Sequence, residues 1–343
     1  MKALVLTGVG QLELREVEMT APAGDEIVLD VAACGVCGTD LHMYHGDKGA
    51  FDNHFPLVMG HEFSGVVSAV GPEVRALKPG DRVCVDPNLY CGSCRECLRG
   101  KPHFCERMIG YGTTLDGGFA RQCKVRERAA YRIPDSLSFV HAAMVEPVAC
   151  CMHGIDRAGI EAGGTAVVIG AGPIGLMMLQ LALCRGAARV AVVEPVESRR
   201  ELARQLGAFL AADPGDAAAM EEVRAFRADS VIECVGKPET MEQAVELAGK
   251  GATVMLFGLT KPGAELRLLP YEQIFQKEVT ITGSFINPQV SERVIRLLDS
   301  GRINLDAIIT DRVPLDRAAE VFADSRCRSR GKTVILPGEE GRL

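Results

Sequence analysis

The strongest constraint on the fold is an uncharged apolar run that contains closely spaced glycines. Residues 165–184 read TAVVIGAGPIGLMMLQLALC. A run of this length is about long enough to cross a membrane, but its glycines and proline favour a buried strand, a tight turn and a buried helix. The turn has the spacing G-x-G-x-x-G and contains Gly170, Gly172, Pro173, Ile174 and Gly175. Such a loop presents backbone N–H groups at a helix N-terminus, which predicts a site for the pyrophosphate of a dinucleotide.

A carboxylate follows this loop at the distance that a dinucleotide site requires. Glu194 ends the next apolar segment, 19 positions after Gly175. A carboxylate there accepts hydrogen bonds from the adenosine ribose hydroxyls and repels a 2′-phosphate, so we predict NAD rather than NADP as the cofactor. Arg199 is either a second contact to this ribose or a solvated helix residue. The alternative interpretation of the loop is a tight strand–helix turn that binds no ligand.

Hydrophobic patterning divides the chain into two kinds of structure. Up to about residue 135, short alternating segments such as 26–31 and 63–70 are separated by turn sequences rich in Gly and Pro, which predicts a β-rich unit. From about residue 160, apolar strands alternate with helical stretches such as 197–208, which predicts a parallel sheet covered by helices on both faces. We therefore expect an α/β protein.

Composition and charge exclude several functional classes. Lys and Arg total 38 against 45 Asp and Glu, and a net charge of −7 provides no basic field for nucleic acid or anionic lipid. The 13 cysteines are odd in number, and Cys150 and Cys151 are adjacent, which argues against a complete disulfide framework. The first apolar stretch is too short for a signal peptide and is predicted to form a strand. We expect a cytoplasmic protein with neither a membrane nor a nucleic-acid partner.

One group of cysteines has the spacing of a metal site. The pattern C-x2-C-x2-C-x7-C consists of Cys91, Cys94, Cys97 and Cys105. Four thiolates around one tetrahedral zinc leave no open coordination position, so this zinc is predicted to be structural. A redox disulfide pair and an iron–sulfur cluster are the alternatives. A zinc ribbon that binds nucleic acid is disfavoured, because this lobe has neither a dominant basic run nor interleaved aromatic residues.

A second group of residues has the chemistry of an open metal site. Cys37 lies in the stretch GVCGTDLH at 35–42, and His61 and Glu62 follow Gly60 at the start of a predicted strand. Thiolate, imidazole and carboxylate all bind zinc, and three protein ligands with one water describe a catalytic zinc. The spacing of these residues alone only suggests such a site.

Taken in order, these motifs resemble the zinc-dependent medium-chain alcohol and polyol dehydrogenases over nearly the whole chain. The shared pieces are CGVCGTDLH, GHE, the cysteine lobe, Glu146-Pro147 and the glycine loop. The resemblance implies a GroES-like catalytic domain built from residues 1–150 and completed by residues 287–343. It also implies a doubly wound Rossmann domain that binds NAD over residues 151–286.

The resemblance implies roles at the catalytic zinc. Cys37, His61 and Glu62 match the zinc ligands of the sorbitol dehydrogenase-like branch. Glu146 matches a carboxylate that is either a fourth ligand or stands behind a zinc-bound water. Zinc with one thiolate and one carboxylate is neutral, and a second carboxylate would blunt the Lewis acid. We therefore expect Glu146 to act from outside the coordination sphere or to ligate transiently.

Three further positions take their roles from the resemblance. Thr39 matches a proton-relay hydroxyl, and His42 matches a histidine that passes the proton outward. Thr39 could instead cap the following helix, and His42 could be an exposed helix residue. Lys332 matches a basic residue that reaches the cofactor phosphates, and its alternative interpretation is a solvated lysine.

The resulting hypothesis is an NAD-dependent zinc dehydrogenase that oxidises a secondary alcohol of a polyol or sugar alcohol to a ketone. The choice of a polyol as substrate depends on Glu62, which stands where a second cysteine ligand could be. Threonine or a small diol as substrate, and a sensor that binds zinc and NAD without turnover, are the alternatives. Ile286 and Asn287 replace an Arg-Tyr pair of animal sorbitol dehydrogenases, which leaves sorbitol open as the substrate. Loops around 45–57 and 110–118 are expected to set substrate shape, and relatives imply a homodimer or homotetramer.

Overall fold

The chain folds into two units that are not continuous in sequence. The computed structural model describes residues 1–47, 54–324 and 331–338. The first unit comprises Met1–Pro147, Ser291–Ser300 and Ile309–Leu343, and the second comprises Val148–Val290 and Gly301–Ile308.

The C-terminal segment contributes to both units. We expected all of residues 287–343 to complete the catalytic domain, but residues 287–290 and Gly301–Ile308 belong to the second unit. The side chain of Gln180 accounts for the second of these segments, because its Oε1 accepts a hydrogen bond from the backbone N–H of Asn304 at 2.7 Å. Its Nε2 also donates to the carbonyl oxygen of Asn304 at 3.5 Å.

Strands and helices follow the order that the hydrophobic patterning predicts. Within the described residues, the strands are β1 (Lys2–Gly8), β2 (Gln11–Glu16), β3 (Glu26–Gly35), β4 (Leu57–Val58), β5 (Glu62–Val70), β6 (Arg82–Val85), β7 (Asn88–Leu89), β8 (Ile109–Gly110), β9 (Gln122–Arg126), β10 (Ala130–Arg132), β11 (Thr165–Ile169), β12 (Arg189–Val193), β13 (Leu210–Ala212), β14 (Ala228–Glu233), β15 (Ala248–Leu256), β16 (Thr280–Gly283), β17 (Ile309–Pro314) and β18 (Lys332–Leu336). The α-helices of the same residues are α1 (Gly38–His45), α2 (Arg95–Leu98), α3 (Phe139–Ala143), α4 (Val145–Arg157), α5 (Pro173–Arg185), α6 (Glu197–Gln205), α7 (Ala217–Ala225), α8 (Pro238–Leu247), α9 (Ser291–Asp299) and α10 (Ala318–Ala323). Short 3₁₀ turns cover Pro102–Phe104, Glu127–Ala129 and Leu315–Arg317, and a π-helical turn covers Pro270–Phe275.

The first unit is built around β3. This strand pairs antiparallel with β5, β9 and β18 within a sheet of order β10-β6-β5-β3-β18-β17. Alternate residues Ile27, Leu29 and Val31 are buried in one core with Phe63 and Val67 of β5. Side chains of a strand alternate between faces, so the short apolar alternation read from the sequence is sufficient to form this core.

The second unit is a six-stranded parallel sheet of order β13-β12-β11-β14-β15-β16. The uncharged run 165–184 forms β11, the glycine loop and most of α5, as the sequence predicts. The chain leaves β11 toward β12 and β13 on one side and later returns to β14 on the other. In such sheets, ligands bind beyond the carboxyl ends of the strands where this reversal occurs. No helix in the described part of the chain is long and apolar enough to cross a bilayer.

Helix α8 ends at Leu247 and strand β15 begins at the next residue, Ala248, so that Gly249 and Gly251 follow the helix within the strand. The ammonium group of Lys277 donates hydrogen bonds to the carbonyl oxygens of Glu246 at 2.8 Å and Ala248 at 2.9 Å. These bonds satisfy the last carbonyl groups of the helix and allow the strand to begin at once.

Candidate active site

The three residues proposed as catalytic zinc ligands lie together in the first unit. Cys37 caps α1 directly after β3, and His61 and Glu62 stand at the start of β5. The antiparallel register of these strands pairs Gly35 with Glu62, which brings the two sequence motifs to one place. One ligand atom each of Cys37, His61 and Glu62 lies within 4.8 Å of the others. A thiolate, an imidazole and a carboxylate at this spacing can hold one zinc ion.

Asp40 positions the histidine of this group, and the sequence analysis gave it no role. Its Oδ2 accepts a hydrogen bond from the backbone N–H of Cys37 at 2.8 Å, and its Oδ1 lies 3.4 Å from Nδ1 of His61. Burial lowers the pKa of His61, but the charges of Asp40 and Cys37 outweigh it and raise the pKa well above its ordinary value. A carboxylate facing Nδ1 leaves Nε2 for a metal. An acidic residue three positions after the helix-capping cysteine is the sequence signal for this role.

Lys332 lies beside the proposed zinc ligands and not in solvent. It is 6% exposed, and its ammonium group donates a hydrogen bond to Oε1 of Glu62 at 2.6 Å and lies 2.5 Å from Oε2. Burial lowers the pKa of Lys332, but attraction to Glu62 and Cys37 raises it above its ordinary value. The cause of this placement is the pairing of β18 with β3, in which Val334 faces Gly35. Lys332 is therefore buried rather than solvated, and its ammonium group is paired with Glu62.

Gly35 makes the close approach of these groups possible. A Cβ atom at this position would lie 2.1 Å from Oε2 of Glu62, 2.7 Å from Cε of Met144 and 3.2 Å from Cε of Lys332. Only a residue without a side chain leaves the carboxylate and the ammonium group in their observed positions.

Glu146 lies in the first turn of α4 and is 7% exposed. Its charge contributes to the raised pKa of Lys332, after the larger effects of Glu62 and Cys37. Among the described residues, the group of mutually close ligand atoms contains Cys37, His61 and Glu62 and does not include Glu146. Glu146 thus lies near enough to act on the charge balance of the site while staying outside this three-residue group.

Thr39 and His42 both lie on α1, three positions apart and therefore on one face of the helix. The N-cap of this helix is Cys37, so Thr39 does not cap it. His42 is half-exposed, and its Nδ1 lies 2.9 Å from Oδ2 of Asp47. Residues 48–53, which belong to a loop expected to shape the substrate pocket, lie outside the described residues.

The four-cysteine cluster lies in a separate lobe of the first unit. Ligand atoms of Cys91, Cys94, Cys97 and Cys105 lie within 4.8 Å of one another, and all four are free thiols. Cys91 accepts hydrogen bonds from the backbone N–H groups of Ser93 at 3.4 Å and Cys94 at 3.2 Å, which lower its pKa to about 5.

The guanidinium of Arg107 donates to the same sulfur atom at 3.3 Å and to Ser93 Oγ at 2.8 Å. Four close sulfur atoms surrounded by N–H donors fit a tetrahedral zinc that carries excess negative charge.

The glycine loop of the second unit fits a pyrophosphate. Gly170 has φ +94°, which favours glycine, and a Cβ at Gly175 would lie 1.8 Å from the carbonyl oxygen of Gly170. Gly172 is the N-cap of α5, and Pro173 and Ile174 are the first helical residues. Because glycine has no side chain, the N-cap residue provides no hydrogen-bond acceptor to the N–H groups of the first turn. No heavy atom lies within 4 Å of a Cβ placed at Gly172. The helix N-terminus therefore offers backbone N–H groups to open space.

Glu194 is fixed beside this loop. It is 3% exposed, its Oε2 accepts a hydrogen bond from Ala171 N at 2.7 Å, and its Oε1 accepts one from Val196 N at 3.0 Å. Arg199 Nη1 lies 3.7 Å from Oε1 of Glu194, so the two residues predicted to contact the ribose lie close to each other. The neighbouring Arg200 instead pairs with Asp213 at 2.9 Å.

Known proteins resemble this chain along its whole length. Residues 23–135 match the family described as alcohol dehydrogenase GroES-like domain, and residues 173–300 match the family described as zinc-binding dehydrogenase. The chain is 34% identical to D-arabinitol dehydrogenase 1 of Uromyces fabae, over 91% of this chain and 90% of that protein. It is 32% identical to the sorbitol dehydrogenase of Ovis aries, over 97% and 95%.

Solved structures give the same result for the fold. The crystal structure of a zinc-binding dehydrogenase from Sinorhizobium meliloti 1021 bound to NADP has a TM-score of 0.92 and 37% sequence identity. The match covers 98% of this chain and 99% of that chain. The expected fold class, a GroES-like domain with a Rossmann domain, is confirmed.

Proposed function

The chain belongs to the zinc-dependent medium-chain alcohol and polyol dehydrogenases, and from this premise we propose that it oxidises a secondary alcohol of a polyol or sugar alcohol to a ketone with NAD. The observation that carries the proposal is the group of Cys37, His61 and Glu62, in which a carboxylate stands beside one thiolate. Two relatives that span nearly the whole chain are named for the polyols arabinitol and sorbitol, which supports the same substrate class here.

The side chains of the first unit fit a catalytic zinc. Cys37, His61 and Glu62 would hold it, and Asp40 would fix the ring of His61 through Nδ1. When bound, zinc supplies a Lewis acid that lowers the pKa of an alcohol, and NAD supplies the hydride acceptor. Lys332 limits the negative charge around the site, because its ammonium group compensates Glu62.

We assign the removal of the alcohol proton to α1. Thr39 is half-buried two positions after Cys37, and His42 lies on the same helix face with its side chain 35% exposed. A hydroxyl can accept one proton while donating another, and an imidazole can take up a proton on one ring nitrogen and release one from the other. Asp47, 2.9 Å from Nδ1 of His42, fixes the ring and leaves Nε2 for the relay.

We propose NAD as the physiological nucleotide. The buried carboxylate of Glu194 is held by two backbone N–H groups, and it would repel a 2′-phosphate. The relative from Sinorhizobium meliloti was solved with NADP, and Arg199 in this chain lies close enough to offset part of the charge. Titration calorimetry should give at least about tenfold tighter binding of NAD than of NADP, which corresponds to roughly 1.4 kcal/mol. Equal affinities would mean that Arg199 governs this site.

The activity is tested by absorbance at 340 nm with NAD and a panel of polyols, diols, threonine and simple alcohols. Turnover of a polyol should disappear in Cys37→Ser and Glu62→Ala while the variants stay folded, because both lose a zinc ligand. Cys184→Ser, at an exposed thiol of the second unit, is the matched control and should retain turnover. Full activity in both ligand variants would overturn the proposal. Activity on threonine alone would show that threonine, and not a polyol, is the substrate. Tight NAD binding without any turnover would favour the alternative of a sensor that binds zinc and NAD.

We also propose a cytoplasmic homo-oligomer. Strand β16 ends the six-stranded sheet, and exposed Tyr271 and Phe275 stack on each other just before it, with ring centroids 5.8 Å apart. A strand edge that no other described strand covers, beside exposed aromatic residues, favours association with a second copy. Analytical ultracentrifugation should show a dimer or tetramer, and a single species of 36.8 kDa would refute it.

A further inference from the structure

The second unit contains a buried carboxylate that the proposed reaction does not use. Glu233 is the last residue of β14 and is 0% exposed. Its Oε1 accepts three hydrogen bonds, from Val235 N at 2.8 Å, Gly236 N at 2.8 Å and Thr240 Oγ1 at 2.7 Å. Its Oε2 is buried without a hydrogen-bond partner. A buried oxygen without a donor destabilises a fold, so its presence calls for a functional explanation.

Glu233 lies directly beside the glycine loop. The residue after it, Cys234, donates its backbone N–H to the carbonyl oxygen of Ile169 at 2.9 Å. A Cβ at Gly170 would lie 2.8 Å from Cγ2 of Val235, so the turn after Glu233 packs against the loop itself. In the sheet register, Ile169 of β11 is paired with Glu233 of β14.

Two carboxylates therefore flank the glycine loop on opposite sides. Glu194 follows β12, and Glu233 ends β14, the strands on either side of β11. A dinucleotide spreads its two halves across this reversal of strand order. With the adenosine at Glu194, as proposed above, the nicotinamide would lie on the side of Glu233.

The surroundings of Glu233 supply hydrogen-bond donors to one of its two carboxylate oxygens. Three donors on a single oxygen suit a carboxylate, which accepts hydrogen bonds and donates none. Thr240 lies in the first turn of α8, and the positive end of that helix favours a negative charge. Among the described residues, no Lys, Arg or His pairs with this carboxylate. The charge is thus buried without a cationic side chain beside it.

We propose that Glu233 makes the site prefer the oxidised over the reduced nucleotide. The nicotinamide ring of NAD is a cation, and it becomes neutral when it takes the hydride from the carbinol carbon. A buried negative charge on the nicotinamide side attracts the cation and not the neutral ring, and it acts across a gap because the interior screens poorly. The preference would strengthen NAD binding and promote release of NADH. This inference rests on the proposed function, because it requires the nucleotide to bind at this loop.

The test measures dissociation constants of NAD, NADH and AMP by titration calorimetry on the zinc-loaded protein. Glu233→Gln keeps the shape of the side chain and removes its charge. It should weaken NAD binding relative to NADH binding, so that the ratio of the NAD dissociation constant to the NADH dissociation constant rises about tenfold. AMP carries no nicotinamide and should bind within about twofold of wild type. Asp229→Asn is the matched control, because Asp229 lies at the opposite end of β14 and accepts hydrogen bonds from Thr165 N and Oγ1 at 2.8 Å each.

The outcomes separate charge from shape. An unchanged ratio in folded Glu233→Gln would overturn the inference, as would an equal loss of NAD and NADH affinity. Glu233→Asp keeps the charge and should keep the ratio within about twofold, even where both affinities fall. A tenfold change in that variant would also overturn the inference, and this result is obtainable if Glu233→Gln does not fold. Wild-type protein that binds neither NAD nor NADH would instead reject the proposed function.

Discussion

Replacement of Lys332 by methionine tests the charge balance of the candidate zinc site. Glu62 and Lys332 are 1% and 6% exposed, so neither partner can turn to solvent when the other is lost. Removal of one partner of a buried ion pair costs about 3–5 kcal/mol, because it leaves the other charge uncompensated. In the metal-free protein, Lys332→Met should lower the free energy of unfolding by about that amount.

Zinc should suppress most of this loss. A divalent cation held by Cys37, His61 and Glu62 supplies the positive charge that Lys332 no longer provides, so we expect a loss of at most about 1 kcal/mol in the loaded protein. The difference between the two states, roughly 2–4 kcal/mol, must reappear as tighter zinc binding in the variant. At 1.4 kcal/mol per factor of ten, the zinc dissociation constant should fall by more than about tenfold.

Urea unfolding of wild type and variant, each with saturating zinc and after chelation, measures all four free energies. Both proteins carry the same four-cysteine cluster, so the effect of chelation there cancels in the comparison. Lys124→Met is the matched control, because Lys124 is more exposed and lies 3.3 Å from Glu26 in a surface pair that contributes about 0–1 kcal/mol. Equal destabilisation of the loaded and metal-free variants would show that Lys332 and zinc do not share Glu62, and the reasoning would fail.

Three further predictions concern the structural lobe, acid stability and the nucleotide loop. Arg107→Gln should speed zinc release to a chromogenic chelator several-fold, because it removes the cationic donor 3.3 Å from Cys91 Sγ. Arg99→Gln, at the surface, is the control. Equal release rates in Arg107→Gln and wild type would contradict a role of Arg107 in holding the zinc. Burial raises the pKa of Glu127, but three backbone N–H donors outweigh this effect and hold the pKa below 4.5. The carboxylate therefore contributes its full stabilisation of the fold above that pH, and the contribution is lost as the pH falls through the pKa of the folded protein. Unfolding from about pH 6 to about pH 3 should show the gap between wild type and Glu127→Gln closing in acid, and a constant gap would refute the assignment. Gly172→Ala should fold normally, because no atom lies within 4 Å of the new Cβ, but should bind NAD at least about tenfold more weakly, and unchanged affinity would place the pyrophosphate elsewhere.

Local patterns were enough to predict the fold class and the grouping of several site residues. Alternating apolar residues predict β3, and the uncharged run with three glycines predicts β11, its turn and α5. The cysteine cluster was equally readable, because its four ligands lie within 15 residues, from 91 to 105, and a short chain segment can meet one metal. In each case the physical requirement is satisfied by residues close in sequence.

Contacts made by strand pairing between distant segments could not be predicted in this way. Lys332 and Glu62 are 270 positions apart, and they meet only because β18 and β5 both pair with β3. The role of Glu233 depends in the same way on the order of strands in the parallel sheet. Asp40 is different, because its spacing from Cys37 was visible, and only the position of His61 was needed to interpret it.

Lys332, which was not predicted beside Glu62, also changes the charge count that bears on ligation by Glu146. Counting zinc, Cys37 and Glu62 alone gives a neutral site, from which direct ligation by Glu146 looked unfavourable. Lys332 adds one positive charge beside Glu62, so a site that includes the carboxylate of Glu146 is again neutral, and charge no longer excludes it as a ligand. Geometry instead separates Glu146 from the ligands, because among the described residues the close group contains Cys37, His61 and Glu62 and not Glu146. Charge balance in a buried site is a property of the fold, and it can be counted only after strand pairing has brought every charge into place.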